Sequence, residues 1–302
     1  MNPYRLRAYI YFLIVVAIWG IAGPIIKVTL GVLPPDLFIF YRFGISFLVA
    51  LIYFLIKGVK IPKDKTTRLQ FAIYTIFNSF VTIGLLFWGT SKTSLLDMSL
   101  ISLFGPLVII LGAYIFLKDR ITHKEKVGIG ITFTGALIIS ISPLMHGGNV
   151  EGQLIGNLLV FLSTVSGAFC AIMAKVLLRK GCSADGLAHA SFSIGFLILL
   201  PFVLFKYSPL GVYNTFSNLD PLYIAAVVYM AIFSGTIAYI IGNKAQKSIE
   251  VSEAAPFSYL YPLVSAILAV VLLGDKITSI IILGTALTLI GVVIAESKKK
   301  LV

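Results

Sequence analysis

One stretch of this 302-residue sequence is written twice. Leu95 to Ser140, LLDMSLISLFGPLVIILGAYIFLKDRITHKEKVGIGITFTGALIIS, returns as Val251 to Glu296, VSEAAPFSYLYPLVSAILAVVLLGDKITSIIILGTALTLIGVVIAE, at a constant offset of 156 residues. The offset lays Pro262 on Pro106, Ser258 on Ser102, Glu253 on Asp97, Gly284 on Gly128 and Gly291 on Gly135, and it lays the corner Asp275, Lys276, Ile277, Thr278 on Asp119, Arg120, Ile121, Thr122. A repeat of this length is half a protein, not a solenoid unit.

Each copy reads as an apolar run containing a proline, a charged corner, then a second apolar run with spaced small residues. That grammar predicts a hairpin of two transmembrane helices. Gly128, Gly130 and Gly135, with Gly284, Ala286 and Gly291, would let helix backbones approach closely where lipid offers no hydrophobic drive for association. The bilayer enters the argument through composition: 59% of residues are hydrophobic and only 12% charged, against about one quarter charged in soluble domains.

Ten apolar runs of bilayer-spanning type follow one another: Ala8 to Leu30, Pro35 to Ile56, Leu69 to Thr90, Leu95 to Leu117, Val127 to Ile141, Leu154 to Leu178, Gly186 to Phe205, Pro221 to Gly242, Val251 to Leu273 and Ser279 to Ala295. The fifth is short, so its helix is expected to begin in the Thr122 to Lys126 corner. The first is too long for a signal peptide and another span follows at once, which predicts an uncleaved first helix. Cys170 and Cys182 make no disulfide framework.

With ten spans, alternate loops share a side, and the 24 Lys and Arg residues divide nineteen to five in favour of the side of the termini. The positive-inside rule then puts both termini in the cytoplasm and the chain in the cytoplasmic membrane. The net charge of +12 is read as this topology signal, with nucleic-acid binding the weaker reading. Five helices per half is an odd number, so residues 152–297 must enter the membrane inverted relative to residues 8–141. Such inverted repeats are the architecture of alternating-access carriers, with the binding site near the midplane between the halves. The expected fold is all-α integral membrane, with ten transmembrane helices as two inverted five-helix repeats.

The repeated proline, the corners LKDRIT and LGDKIT, the glycine-spaced closing helices and Trp19-Gly20 of the first run resemble the EamA-type transporters of the drug/metabolite transporter superfamily, over nearly the whole chain. The resemblance implies transport of small solutes such as amino acids, other metabolites or drugs, often outward. The family's corner usually carries Glu; Asp119 and Asp275 depart from it without changing charge.

Tyr74, Asn78 and Thr82 fall at i, i+4 and i+8, a polar stripe on one helix face. The offset maps Asn78 onto Ser234 and Thr82 onto Ala238, near Tyr239 and Asn243. The stripe reads either as the wall of a central cavity or as interhelical hydrogen-bonding glue. Pro24, Pro106 and Pro262 sit inside spans and predict kinks, for gating or for static packing. Around them lie Trp19, Ser102, Phe104, Ser258, Tyr259 and Tyr261, suited either to a solute with an apolar body and polar head or to plain packing. Arg42 lies about 10 Å along its helix from Pro35; members of the resembled family often show an Arg in this helix, which implies a structural or gating role rather than substrate contact, and Lys27 and Lys175 are expected to snorkel. Asp97 and Glu253 start helices, where the dipole favours them, and His189 is a weak proton-coupling candidate.

Catalytic and metal motifs such as HExxH, GxGD and DDxxD are absent from the sequence, as is a GxxxxGK[ST] phosphate loop, so neither an enzyme nor direct ATP drive is expected, and no cofactor or metal. The function read from the sequence is a secondary transporter that moves a small organic metabolite, an amino acid or related compound, by alternating access, in the direction of export. An importer or exchanger of phosphorylated or anionic solutes would need Lys27, Arg42 or Lys175 to face the cavity. A non-transporting scaffold or receptor would leave the inverted repeat without purpose. The expected partners are a small-molecule substrate and membrane lipids, with no nucleic acid, and the expected state is a monomer.

Overall fold

The computed structural model describes residues 3–58, 62–117, 122–141, 150–248 and 257–296. Every regular element among them is helical, as it must be where hydrocarbon offers backbone N–H and C=O groups no partner. In chain order these are α1 (Pro3–Thr29), α2 (Pro35–Lys57), α3 (Lys65–Lys92), α4 (Leu95–Ser102), α5 (Gly105–Leu117), α6 (His123–Ser140), α7 (Val150–Arg179), α8 (Ala184–Tyr207), α9 (Pro209–Ser217), α10 (Pro221–Ser248), α11 (Leu260–Leu273) and α12 (Ser279–Glu296). Among the described residues seven stretches are long and apolar enough to cross a membrane: α1, α2, α3, Leu95–Gly112, α7, α8 and α10. The apolar parts of α6, α11 and α12 are shorter. As expected, α6 begins in the corner, at His123. The Asp119 to Ile121 part of that corner, Glu253 and residue 297 lie outside the described residues.

Helix starts are set by local chemistry. Asp64 accepts from the Thr67 N–H at 2.8 Å to open α3, Ser94 Oγ accepts from the Asp97 N–H at 2.9 Å to open α4, and Asp220 with Pro221 opens α10. The outer surface is apolar: Leu55 is 85% exposed, Phe205 93% and Val271 71%, side chains for which lipid is the solvent.

Packing inside the bundle is organised by close helix pairs. The most extensive is α6 against α12. A Cβ on Gly128 would come within 2.5 Å of the Gly291 carbonyl oxygen, and one on Gly291 within 2.7 Å of that of Gly128. The same reciprocity holds for Gly135 and Gly284, at 2.6 and 3.0 Å. Low residue numbers meet high ones, so the two helices run antiparallel. Between the glycine contacts, Thr132 Oγ1 donates to the Thr288 carbonyl at 3.2 Å, a bond between two residues separated by the 156-residue offset itself. Other close pairs are α2 with α8, α1 with α11 and with the second half of α10, and α7 with α5 and with the second half of α3.

The three in-span prolines singled out from the sequence behave in two ways. Pro106 and Pro262 are the second residue of α5 and the third of α11, first-turn positions whose missing N–H has no intrahelical acceptor in any case. The bend expected at each is a break just before it. At Leu103 and Phe104 the N–H groups bond three residues back, to Leu100 and Ile101, and α11 is preceded by a turn at Tyr259. Pro24 instead lies in the interior of α1, where it releases the carbonyl four residues earlier. That group, Gly20 O, accepts from Ser265 Oγ of α11 at 2.8 Å.

Candidate functional site

A cavity of about 300 Å³ lies between α1, α3, the α4–α5 break, α7, α10 and α11, the lower end of the range for small-ligand sites. Two irregular helical segments build its middle. In α3 the backbone from Phe77 to Ile83 widens into a π-helix, and in α10 the stretch from Met230 to Ile237 does the same. The 156-residue offset pairs Asn78 with Ser234, and each lies in one of these segments. π turns put carbonyls out of register with the helical ladder, and side chains from neighbouring helices take them up. Trp19 Nε1 of α1 donates to Ser234 O at 3.0 Å, Ser46 Oγ of α2 to Ala231 O at 3.0 Å, and Ser163 Oγ of α7 to Thr82 O at 2.8 Å. Thr236 Oγ1 adds a second donor to Ala231 O at 3.2 Å.

Of the residues singled out from the sequence, Trp19, Tyr74, Asn78, Thr82, Ser102, Ser234, Tyr239 and Ser258 all line the cavity, together with Arg42, Pro106 and Pro262. Tyr259 and Pro24 do not. The turn at Tyr259 directs its side chain into the apolar cluster around Leu95, Leu107 and Ala269, and Tyr261 takes the place on the wall. Tyr261 meets Trp19 edge to face at 5.7 Å, and Trp19 meets Tyr239 likewise at 5.4 Å. Phe104 also leaves the site, stacking on Phe161 at 5.6 Å. Ser99, Ser163, Thr164, Asn243, Gln246 and Ser265 complete the polar wall. Sequence reasoning passed over Ser163 and Thr164 because a hydroxyl in an apolar run satisfies itself on backbone as readily as it faces a solute.

Much of this wall is already internally bonded. Thr82 Oγ1 pairs with Ser166 Oγ at 2.7 Å, and Ser102 Oγ donates to Met98 O at 2.7 Å. Two donors are not. The Asn78 amide nitrogen, on a residue 4% exposed, has no acceptor among the described residues, and neither has Nε of Arg42, which is 3% exposed. Arg42 projects from α2 toward the π segment of α10, where a Cβ on Gly235 would stand 3.7 Å from its Nε. Its guanidinium lies 5.4 Å from the Phe87 ring centroid and 5.9 Å from that of Phe192. A central Arg costs about 2.5–3.5 kcal/mol on insertion scales, and ring faces return only part of that.

The two ends of the bundle are held by different contacts. At the end bearing the N-terminus of α1, Phe257 stacks between Tyr9 and Phe12 at 5.4 and 5.6 Å, and Lys244 pairs with Asp185 at 3.0 Å. Lys175 donates to Gln246 O. At the opposite end Asp275 Oδ2 accepts from the Leu96 N–H at 2.9 Å, so the acidic corner of the second half caps α4 of the first. Lys27 donates to the carbonyls of Thr90 and Thr93. Beside it, Asn157 donates to Asp97 at 3.2 Å and to Ser140 O at 3.0 Å, and accepts from Thr93 Oγ1. Asp97 therefore does more than start a helix: it is 5% exposed and ties α4 to α7. Lys27 and Lys175 lie off the cavity wall, and His189 stacks on Tyr53 at 4.4 Å, away from it. Among the described residues, no group of three or more His, Cys, Asp or Glu side chains is placed to hold a metal ion.

An apolar-skinned helical bundle around a partly polar cavity is the form of a multi-pass membrane transporter. The chain belongs to the EamA-like transporter family, whose sequence model matches residues 6–141 and again residues 154–296. The uncharacterized transporter YyaM of Bacillus subtilis (strain 168) is 26% identical over 97% of this chain and 94% of its own. An uncharacterized transporter of Archaeoglobus fulgidus is 29% identical over 97% of this chain and 100% of its own. A protein of Salmonella typhimurium named "Probable amino-acid metabolite efflux pump" is 25% identical over 93% of this chain and 92% of its own. A solved crystal structure superposes with a TM-score of 0.63 at 17% identity, covering 95% of this chain and 96% of the other, a likeness of fold. The chain is a drug/metabolite-superfamily transporter and not an enzyme.

Proposed function

We propose that the chain is a secondary carrier of ten spans, built as two inverted halves over residues 8–141 and 152–297, that exports a small organic metabolite by alternating access. The seven long apolar stretches and the three shorter apolar helices supply the ten spans. Inversion is supported by the reciprocal, antiparallel contact of α6 with α12 about Thr132 and Thr288, the pairing that a two-fold axis in the membrane plane would generate. The nineteen-to-five charge division supports cytoplasmic termini in the cytoplasmic membrane. An amino acid or related metabolite is the cargo class suggested by the named function of the Salmonella relative.

The observation that carries the reading is the cavity between matched irregular segments, with Asn78 and Ser234 at offset-equivalent positions on its wall. In this reading Trp19, Tyr74, Asn78, Thr82, Ser102, Ser234, Tyr239 and Ser258 contact solute. Pro24, Pro106 and Pro262 mark where the helices give, and the Phe257 stack and the Asp275–Leu96 cap are the contacts that alternate between states. The test is solute flux in proteoliposomes for wild type and Asn78→Leu, with melting temperature taken on the same preparations. Flux should fall at least tenfold at near-wild-type stability. Wild-type flux in Asn78→Leu would remove the cavity assignment, and a wild-type protein that moves no member of a metabolite library would remove the carrier reading.

A further inference from the structure

Arg42 is the one charged residue among the cavity-lining side chains of the described residues. No carboxylate neutralises it there: the ion pairs of the described residues join Lys206 to Asp36 and Lys244 to Asp185. Asp97 and Asp275, the acids of the far end, are engaged with Asn157 and the Leu96 N–H and lie off the wall. The guanidinium rests against the rings of Phe43, Phe87 and Phe192, which attract a cation without cancelling its charge. Asn78, on the same wall, offers an unpaired amide N–H₂. Among the described residues the cavity thus carries a net positive charge and spare donors, with Gln246 Oε1 as an unpaired acceptor, bounded by the aromatic surface of Trp19, Tyr239 and Tyr261.

We propose that the solute is a net anion, an organic carboxylate with an apolar or aromatic body, whose carboxylate sits on Arg42 and Asn78. This rests on the carrier reading above and narrows its cargo to a related carboxylate in place of the amino acid itself. A buried cation with no protein counter-ion is stabilised by a ligand that brings one, and planar guanidinium pairs readily with planar carboxylate. A zwitterionic amino acid would bring its ammonium group to a wall whose described residues hold no carboxylate to receive it. An organic cation would meet Arg42 with like charge.

The test uses the purified full-length protein in detergent and four probes of near-equal size: phenylacetate, its neutral isostere phenylacetamide, phenylalanine and phenethylamine. Apparent affinity is read from the concentration dependence of melting temperature. Phenylacetate should bind at least tenfold tighter than phenylacetamide and phenylalanine, and phenethylamine should give no shift. Arg42→Gln should erase the difference between phenylacetate and phenylacetamide, and Arg42→Lys should keep part of it. Should Arg42→Gln fail to fold, the wild-type comparison of the two isosteres still decides. The proposal is overturned by equal binding of that pair, by tighter binding of the amine, by no shift with millimolar phenylacetate, or by an anion preference that survives in Arg42→Gln. Flux in proteoliposomes separates the two levels. A protein that moves phenylalanine without anion preference keeps the carrier reading and loses this one, and a protein that binds phenylacetate selectively but moves nothing does the reverse.

Discussion

At the scale of single residues, the glycines of the α6–α12 contact divide into those pressed by the partner helix and one that is not. A Cβ on Gly128 would fall 2.5 Å from Gly291 O and 2.7 Å from the Ala295 backbone nitrogen, whereas one on Gly130 meets nothing within 4 Å. Gly128→Ala should therefore push the helices apart and cost about 1–3 kcal/mol, as overpacking does. Gly130→Ala should leave the melting temperature unchanged or raise it slightly. Melting curves of the two variants in one detergent check the pair, and equal behaviour would mean that the helices do not meet along this seam. The repeat made these glycines conspicuous, but only the contact separates Gly128 from its neighbour two residues on. Tyr259 and Tyr261 teach the same point. A continuous helix through this stretch leaves both eligible for the wall, and the turn at Tyr259 admits only Tyr261.

At the scale of elements, the π segments of α3 and α10 persist because other helices satisfy what they release. Ala231 O is held by Ser46 from α2 and by Thr236 from its own helix. Ser46→Ala alone should cost about 1 kcal/mol, because Thr236 remains, and Thr236→Val alone a similar amount. The double variant removes both side-chain donors from one buried carbonyl, so its loss in thermal stability should exceed the sum of the two singles; strict additivity would show that the carbonyl is not shared.

The start of α3 offers a pH-dependent counterpart outside the membrane-spanning segments. Asp64 accepts from the backbone N–H and the hydroxyl of Thr67, and these bonds hold its carboxyl below its usual value of 3.8. A folded-state value below the unfolded one means stabilisation that is present above pH 3.8 and fades as pH falls through the lower, folded value. Wild type should accordingly melt above Asp64→Ala at neutral pH, and the gap should close as pH falls through that window. A gap that persists unchanged at pH 2 would assign the effect to something other than the charged cap.

At the scale of the whole molecule, orientation is testable by single cysteines at Lys63 and Ser217, both exposed, in a background lacking Cys170 and Cys182. Lys63 precedes α3, and Ser217 ends the short helix α9 between two spans on the opposite end of the bundle. An impermeant maleimide applied to intact cells should label Ser217→Cys and spare Lys63→Cys until the cells are opened. The reverse pattern would invert the topology drawn from the charge bias, and labelling of both from one side would end the ten-span count.

The sequence by itself determined the helical class, the membrane setting and the family, because hydrocarbon forces every backbone group into a local partner and so turns composition and run length into structure. It also paired Asn78 with Ser234, since a repeat carries its equivalent positions in its numbering. Only the tertiary structure decided that Arg42 borders the cavity with no acid beside it among the described residues, that Asp97 is tied to Asn157, and that Asp275 caps a helix of the other half. Those facts depend on which faces of distant segments meet. A one-dimensional pattern records how apolar a helix face is and leaves open what lies opposite.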